Sequence, residues 1–404
     1  MICRACKSKN VLMYLPLGSH PPANAFLRAD QLNQPEASFE LDTHVCLDCG
    51  LVQIPDKIPP GFFEHYLYIP SASDTMHRHF GQFAAGIRER FLGEGKSLLV
   101  DIGCNDGLFL SAAHQMGIRT LGIDPAANIA ELARQKGLSV VTRYFSPETA
   151  AYVLAEHGPA KVIVTTNTLN HVDDLHGFMK GIDTLLAPDG VFVVEAPQAL
   201  SFVQKNEFDT IYHEHLSVFS VKSLAELYRF FGMSIFDIEE LDVHGGSMRV
   251  YARREGGGMS AVVEQWLARE NAAKLFDAHT YEVAARAARS IREELLSLLD
   301  ALKRGGKRVA GYGAPAKGNT LLNYCRIGPD RLDYLVDRNP LKHGLYSPGM
   351  RIPIAGPEKL AADPPDYLLV LAWNFAEEIM RQQSAFAERG GKFILPIPKP
   401  EVIG

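Results

Sequence analysis

The feature that most constrains the fold of this chain is an apolar segment that runs directly into a glycine turn. Residues 98–107 read Leu-Leu-Val-Asp-Ile-Gly-Cys-Asn-Asp-Gly. A short continuous apolar run predicts a buried strand, and glycine allows a tight turn into the helix predicted at 108–115. Further strands are predicted at 120–123, 161–165 and 191–194, with helices at 126–136 and 176–186 between them. This alternation predicts an α/β fold with a doubly wound sheet.

The acidic residues around this turn favour one class of ligand. Asp101 stands just before the turn, and Asp124 ends the next predicted strand, where a carboxylate can accept ribose hydroxyls. An acid before the turn suits the cationic amino-acid end of S-adenosylmethionine, whereas a dinucleotide enzyme would place Gly-x-Gly-x-x-Gly here. We therefore expect cosubstrate contacts from Asp101, Gly103, Asn105, Gly107 and Asp124. A strand-turn-helix without a ligand is the alternative.

Four cysteines near the N-terminus form two Cys-x-x-Cys pairs, at Cys3 and Cys6 and at Cys46 and Cys49. Two such loops can together complete a tetrahedral zinc site with four protein ligands. A site without an open coordination position is structural rather than catalytic. A pair of disulfides is the alternative, which a reducing compartment disfavours.

Composition along the chain divides it into four regions. Residues 1–75 are rich in proline and carry only short apolar runs, as expected of a module that a metal holds together. Residues 76–257 carry the alternating strands and helices. Residues 258–304 form a helical connector, since 261–303 contain neither proline nor glycine. Residues 305–404 begin a second α/β unit, with strands predicted at 308–310, 334–336 and 367–371.

Charge and hydropathy exclude several classes of function. The 41 Lys and Arg residues against 47 Asp and Glu residues give a formal net charge of −6, without the basic block typical of nucleic-acid binding. No stretch approaches the roughly 18 apolar residues of a membrane helix, and the N-terminus lacks the pattern of a secretory signal. We expect a cytoplasmic protein, a monomer or small homo-oligomer, that binds neither nucleic acid nor membranes.

Three segments together resemble a known family, the sugar C-methyltransferases. They are the Asp-Ile-Gly-Cys-Asn-Asp-Gly turn, the paired Cys-x-x-Cys loops and the sequence Tyr-His-Glu-His at 212–215. The resemblance covers essentially the whole chain, and the combination is far more specific than the glycine turn alone. It implies a Rossmann-like methyltransferase domain that binds S-adenosylmethionine, flanked by a zinc module and by a second Rossmann-like domain. It also implies a nucleotide-diphospho 4-keto-deoxy sugar as substrate, with dTDP as the expected nucleotide.

The Tyr-His-Glu-His segment carries the residue types that methyl transfer to carbon needs. Such a transfer first removes a proton beside a carbonyl, which takes a base titrating near neutrality and a donor for the enolate oxygen. The resemblance implies that Tyr212, Glu214 and His215 line the substrate pocket, and we assign His215 as the base, Glu214 as its orienting or proton-sharing partner and Tyr212 as the enolate or proton-transfer partner. The resemblance adds to the site Asn167, His171 and Tyr66, with Asn167 expected to contact cosubstrate or substrate. The sequence leaves open which of His215, Tyr212 and His171 is base and which is acid, and a His-x-His metal pair is the alternative.

The C-terminal unit carries a second glycine turn after a predicted strand. Residues 311–316 match Gly-x-Gly-x-x-Ala, and Asp337 lies at a later strand end. By motif alone this predicts a dinucleotide site, and Lys317 in the first helical turn adds a charge suited to a diphosphate. The resemblance instead implies that this domain helps to hold the nucleotide of a sugar donor. A turn with only a structural role is the third reading.

Two further segments are candidates for substrate contact. His244, Ser247 and Arg249 belong to a glycine-containing loop that resembles a substrate-side loop of the family. Trp373 and Asn374 follow a predicted strand and would stack on and hydrogen-bond a pyrimidine, although Trp373 fits a core position equally. The function predicted from the sequence is thus carbon methylation of a keto sugar nucleotide. The rivals are an O- or N-methyltransferase of another small molecule and an NAD-dependent sugar-nucleotide oxidoreductase.

Overall fold

The computed structural model describes residues 1–55, 70–72, 74–254 and 260–404, including every side chain in these ranges except those of Ala72 and His244. Three larger sheets and one two-stranded ribbon, with helices packed against them, make up this described part of the chain. Tyr66 lies outside the described residues.

Short strands form the N-terminal region around the four cysteines. They are β1 (Val11–Leu15), β2 (Ser19–His20), β3 (Phe39–Glu40), β4 (Thr43–Cys46) and β5 (Val52–Gln53). Strands β1, β4 and β5 pair in that order, while β2 and β3 form the separate ribbon. Cys46 ends β4, and the turn that follows carries Cys49 and Gly50, whose φ of 75° glycine adopts without strain.

The central region is built on strands covered by helices on both faces. Its strands are β6 (Leu98–Ile102), β7 (Arg119–Ile123), β8 (Val140–Val141), β9 (Ala160–Thr166), β10 (Leu186–Pro197), β11 (Ser217–Val218), β12 (Met233–Leu241) and β13 (Ser247–Arg254). Its helices are α1 (Asp74–Ile87), α2 (Leu108–Gln115), α3 (Ala127–Gln135), α4 (Pro147–His157), α5 (Leu175–Leu185), α6 (Ala199–Gln204) and α7 (Val221–Arg229). All five residues of β6 are buried, as expected of a parallel strand covered on both sides.

The order of the central sheet is β12-β13-β10-β9-β6-β7-β8. Strands β10, β9, β6, β7 and β8 run parallel, which confirms the predicted Rossmann-like α/β fold. Strands β12 and β13 add an antiparallel edge that the sequence did not indicate. Strand β11 does not join this sheet. It pairs with β5, so the N-terminal sheet is completed by a strand from the middle of the chain.

Two helices connect the central region to the C-terminal domain, α8 (Ala261–Ala272) and α9 (Ala278–Arg304). The last domain contains β14 (Val309–Tyr312), β15 (Leu335–Val336), β16 (Ile354–Ala355), β17 (Tyr367–Val370), β18 (Lys392–Leu395) and β19 (Glu401–Ile403). Its helices are α10 (Ala316–Cys325), α11 (Lys359–Ala362), α12 (Ala376–Gln382) and α13 (Ser384–Glu388). The sheet order β16-β15-β14-β17-β18-β19, parallel except for β19, confirms a second Rossmann-like unit. Within the described ranges, no helix has the length and apolarity to cross a bilayer.

Candidate active site

A cavity of about 540 Å³ lies where the carboxyl ends of β6, β7 and β9 meet. The turns after these strands form one side of it, as expected for the ligand crevice of a doubly wound sheet. The other side comes from the segment after α6 and from the start of α10 in the C-terminal domain. Elements from different regions of the chain therefore enclose one space.

Most of the residues predicted from the sequence share this cavity. Those that line it are Asp101, Gly103, Asn105, Asp124, Asn167, His171, Tyr212, His215, Lys317 and Asn374. Five others are not among its described lining residues: Gly107, Glu214, Ser247, Arg249 and Trp373. The predictions for Tyr66 and for the side chain of His244 lie outside the described part of the chain.

Two carboxyl groups on neighbouring strand ends mark the deep end of the cavity. The carboxylate of Asp124 accepts hydrogen bonds from the backbone N–H groups of Asn105 and Ala126, each at 2.9 Å. Asp101 is 2% exposed, and its Oδ1 has no hydrogen-bond partner among the described residues. Burial, and secondarily the charge of Asp124, raise the pKa of Asp101 to about 8. An unsatisfied buried carboxyl of this kind fits a cationic ligand.

The glycines of the turn are required by packing within the protein. Gly103 and Gly107 have φ values of 78° and 76°, which favour glycine. A Cβ at Gly103 would overlap the side chain of Thr168, and one at Gly107 would overlap Leu138. We expected both glycines to bring the backbone close to a ligand. Gly107 is not among the described lining residues of the cavity, and a Cβ there would meet Leu138 and Ala133.

His215 is held by both of its ring nitrogens. Nδ1 lies 3.0 Å from the carbonyl oxygen of Thr210, and Nε2 is hydrogen-bonded to the hydroxyl of Tyr212. Because a carbonyl can only accept, Nδ1 carries the hydrogen of the neutral ring and Nε2 accepts from the tyrosine. We predicted Glu214 as the orienting partner of His215, but the Thr210 carbonyl holds Nδ1. The arrangement leaves Nε2 as the basic atom of the ring.

His171 brings a second imidazole to the same place. Its ring centroid lies 4.9 Å from that of His215, in an edge-to-face arrangement. Burial lowers the pKa of His171 to about 4, although a hydrogen bond with the backbone of Asn167 opposes the shift. The ring is therefore neutral at neutral pH, and it adds no positive charge beside His215.

Glu214 is hydrogen-bonded to Asn24, a residue that the sequence did not identify as part of the site. Its Oε2 accepts a hydrogen bond of 2.6 Å from Asn24 Nδ2. Asn24 lines the cavity, and the adjacent Ala23 carbonyl accepts a 2.7 Å bond from Asn319 on α10. No motif marks Asn24, because its partners are far away in the sequence.

Lys317 carries a buried, unsatisfied cation on the opposite wall. Its Nζ has no hydrogen-bond partner among the described residues and lies 4.3 Å from the ring centroid of Trp373. Burial lowers the pKa of Lys317, while the nearby carboxyls of Asp209 and Glu207 raise it. Trp373 donates from Nε1 to Asp209 at 2.7 Å, so it ties the C-terminal domain to the segment before Tyr212.

Arg249 and Ser247 lie in the sheet instead of the cavity. Arg249 is opposite Glu195 in the register of β13 and β10, and the two form a buried ion pair of 2.8 Å. The guanidinium also bonds Glu239 at 2.8 Å, and Ser247 donates to the carbonyl of Val243. Strand pairing places both residues beside other partners in the described chain, and neither is among the described lining residues of the cavity.

The acid of the second glycine turn is paired within the protein. Asp337 accepts 2.7 Å and 2.8 Å bonds from the backbone N–H groups of Ala314 and Asn339. Lys342, which is 6% exposed, donates to the Ala314 carbonyl at 2.8 Å. The ammonium of Lys342 also lies 3.5 Å from Oδ2 of Asp337, so the charge of this acid is matched by a cation of the protein.

The four N-terminal cysteines converge as the zinc prediction requires. Their sulfur atoms lie within 4.8 Å of one another, and Cys3–Cys49 and Cys6–Cys46 are each 3.6 Å apart. All four are free thiols, so the alternative of two disulfides is wrong. Tetrahedral zinc with bonds of about 2.3 Å needs sulfurs about 3.8 Å apart, which this cluster matches. The residues fit a closed zinc site.

Known proteins match this chain along its whole length. Three family models fit: a putative zinc binding domain at 3–63, a methyltransferase domain at 76–236 and a C-methyltransferase C-terminal domain at 242–398. C-methyltransferase NovU of Streptomyces niveus is 36% identical over 404 residues, covering 99% of this chain and 96% of that protein. A ubiquinone biosynthesis O-methyltransferase of Caulobacter vibrioides is 37% identical over 106 residues, or 25% of this chain and 40% of that one. The solved magnesium protoporphyrin IX methyltransferase from Synechocystis PCC 6803, with bound SAM, covers 44% of this chain and 79% of its own, at 14% identity and a TM-score of 0.34.

Proposed function

This chain belongs to the C-methyltransferase family, with S-adenosylmethionine as methyl donor and zinc at its four cysteines, and from that premise we propose that it methylates a ring carbon of a nucleotide-diphospho 4-keto-deoxy sugar. The observation that carries the proposal is that one cavity is lined by Asp101, by the bonded pair Tyr212 and His215, and by Lys317. These groups match a sulfonium amino acid, an enolisable ketone and a diphosphate.

The cosubstrate end of the cavity is assigned to Asp101 and the turn after β6. A bound cation would satisfy the Oδ1 of Asp101, whose burial otherwise costs free energy. When bound, S-adenosylmethionine supplies the methyl group as an electrophile. The protein's part in the transfer is to hold the two reacting carbons close and aligned.

Proton removal is assigned to His215. Nε2 has one lone pair, which accepts from Tyr212 in this structure, so the tyrosine hydroxyl first turns to the ketone oxygen of the bound substrate. The freed Nε2 then takes the proton from the carbon next to the ketone, the C–H electron pair passes into the enolate, and the tyrosine hydroxyl donates to the enolate oxygen. The neutral ring of His171 does not oppose the positive charge that forms on His215.

The nucleotide end is assigned to Lys317 at the start of α10. A buried ammonium without a hydrogen-bond partner is costly, and an anionic ligand would satisfy it. The diphosphate of a sugar nucleotide supplies such an anion, and the N-terminus of α10 adds a favourable dipole. We assign dTDP as the nucleotide and Asn374 as a contact to its base.

Product analysis tests the proposal. The enzyme is incubated with S-adenosylmethionine and a panel of 4-keto nucleotide sugars, and mass spectrometry with fragmentation locates the added methyl group. The same sugars reduced at the keto carbon are the matched control, and they should remain unmethylated. Solvent deuterium should enter the carbon next to the ketone when S-adenosylhomocysteine replaces the donor. A methyl group on oxygen or nitrogen, or equal methylation of the reduced sugars, would overturn the proposal.

A further inference from the structure

Arg4 lies inside the first zinc loop, between Cys3 and Cys6, yet its side chain points away from the metal and into the protein. Its side chain is 10% exposed, and its guanidinium makes two bonds, one to the central region and one to the end of β5 within the N-terminal module. Nε donates to Asp173 at 3.2 Å, and Nη1 donates to the carbonyl of Ile54 at 2.6 Å. A lone surface arginine would have neither contact.

The first of these bonds reaches the loop that carries His171. Asp173 lines the active-site cavity and lies two residues after His171. A second bond from the same zinc loop supports it, because the carbonyl of Ala5 accepts from His176 Nε2 at 2.8 Å. The loop after β9 and the start of α5 are thus each bonded to the first zinc loop.

The second bond reaches the segment that carries His215. Ile54 follows β5, and its N–H donates to the carbonyl of Leu216, the residue after His215, at 3.2 Å. The pairing of β5 with β11 continues this ladder through Ser217 and Val218. Arg4 therefore bonds to the end of β5, and β5 pairs with the residues that directly follow His215.

From these contacts we propose that Arg4 is a positioning residue for methyl transfer, which fixes the separation of His171 and His215. The inference rests on the catalytic assignment of these histidines made above. Their rings are on different segments and meet at 4.9 Å. One planar guanidinium bonds the loop of His171 directly and reaches the segment of His215 through Ile54, and a lysine cannot reproduce that fork. The zinc site keeps the backbone of Arg4 in place, so the metal supports the active site through this side chain.

The test compares Arg4→Gln and Arg4→Lys with Lys9→Gln, which removes a positive charge from an exposed position in the same module. We expect Arg4→Gln to lower kcat about tenfold, because small misplacement of reacting groups has effects of this size. Zinc content, measured by release with a thiol reagent, and the Kd of S-adenosylhomocysteine should stay unchanged. Arg4→Lys should recover only part of kcat, and Lys9→Gln should match the natural protein.

The outcomes distinguish a positioning role for Arg4 from no role in catalysis, from a role in the zinc site alone, and from failure of the proposed function. A kcat for Arg4→Gln within about twofold of the natural value would overturn the inference. It would also be overturned by a loss of zinc in parallel with kcat, since Arg4 would then serve only the metal site. His215→Asn is measured alongside. If that variant keeps full activity, the proposed function fails first, whereas an inactive His215→Asn beside an active Arg4→Gln rejects Arg4 alone.

Discussion

The chain contains the same strand-turn-helix twice, after β6 and after β14, and the two differ in what they leave unsatisfied. In each, a glycine N–H donates to the last residue of the next strand at 2.7 Å, Gly103 to Ile123 and Gly313 to Val336. In each, the acid that follows, Asp124 or Asp337, accepts from a backbone N–H of the turn. The backbones are therefore equivalent at these points.

The side chains set the two turns apart. The first turn has Asp101 two residues before its glycine, and the second has Gly311 at that position. The first opens onto the cavity with an unsatisfied buried carboxyl, while Lys342 covers the acid of the second. The glycine motif alone thus predicts the backbone of the turn. The ligand is predicted by the buried charged or ionisable side chain that the protein leaves without a partner.

The largest effect is expected on kcat, at the proposed general base in the cavity onto which the first turn opens. His215→Asn should lower kcat by about a hundredfold or more, because it removes the proposed general base. The Kd of S-adenosylhomocysteine should stay unchanged, since His215 lies on the opposite wall of the cavity from Asp101. Stopped assays of methyl transfer with isothermal titration check both quantities. A normal kcat would show that His215 is not the general base and that another group in the cavity removes the proton.

The next effect contrasts the acids of the two turns. Asp101→Asn should weaken S-adenosylhomocysteine binding by about 2 kcal/mol, or roughly thirtyfold, since a charge-assisted hydrogen bond is worth this much. Asp337→Asn is the matched control and should leave that Kd unchanged. Equal losses in both variants would mean that the two turns are not distinct in function.

The pH dependence of binding sharpens the contrast further. Asp101 has a raised pKa of about 8, so it is largely protonated below that pH in the unliganded protein. A cationic ligand favours the carboxylate, so binding releases a proton, and affinity should rise by up to about tenfold per pH unit as pH approaches 8. Without ligand, Asp101 ionises in the unfolded chain above its ordinary pKa of 3.8 but stays protonated in the folded protein up to about pH 8, so the free energy of unfolding falls as pH rises between these values. Titrations in buffers of different ionisation enthalpy count the protons, and Asp101→Asn should abolish the release.

The smallest effect is expected at the second turn, residues 311–316, whose acid Asp337 is already paired within the protein. NADH should show no saturable binding at concentrations that saturate the site for S-adenosylhomocysteine. Asp337→Asn should lower the free energy of unfolding by only about 1–2 kcal/mol, because the single amide oxygen can accept one of the two backbone hydrogen bonds that the two carboxylate oxygens accept, and the other is lost. Denaturant unfolding and fluorescence titration check these outcomes. Tight NADH binding would restore the dinucleotide reading of residues 311–316.

Local patterns in the sequence predicted the elements that depend on near neighbours. The apolar run before Asp101, the glycine turn and the two Cys-x-x-Cys loops are such patterns, and each lies where it was expected. The Tyr-His-Glu-His segment also reached the cavity, through Tyr212 and His215. Short-range sequence is sufficient for these because each is one strand end or one loop.

What the sequence did not reveal depends on long-range pairing. Arg249 was assigned to substrate because the register that puts it opposite Glu195 cannot be read from either strand alone. Asn24 and Arg4 carried no motif, and their partners Glu214 and Asp173 are in another region of the fold. A glycine's role in a turn also depends on distant chain, as the contact of Gly103 with Thr168 shows.

The pairing of β5 with β11 has a consequence for how the protein is made. The whole parallel core from β6 to β10 is synthesised between these two strands, so the N-terminal sheet cannot be completed until that core has left the ribosome. Until then β5 presents an open edge, which is a site for association with other nascent chains. A shortened chain that starts at α1 would transfer the same liability to β11, so we expect it to aggregate rather than yield a free-standing methyltransferase core.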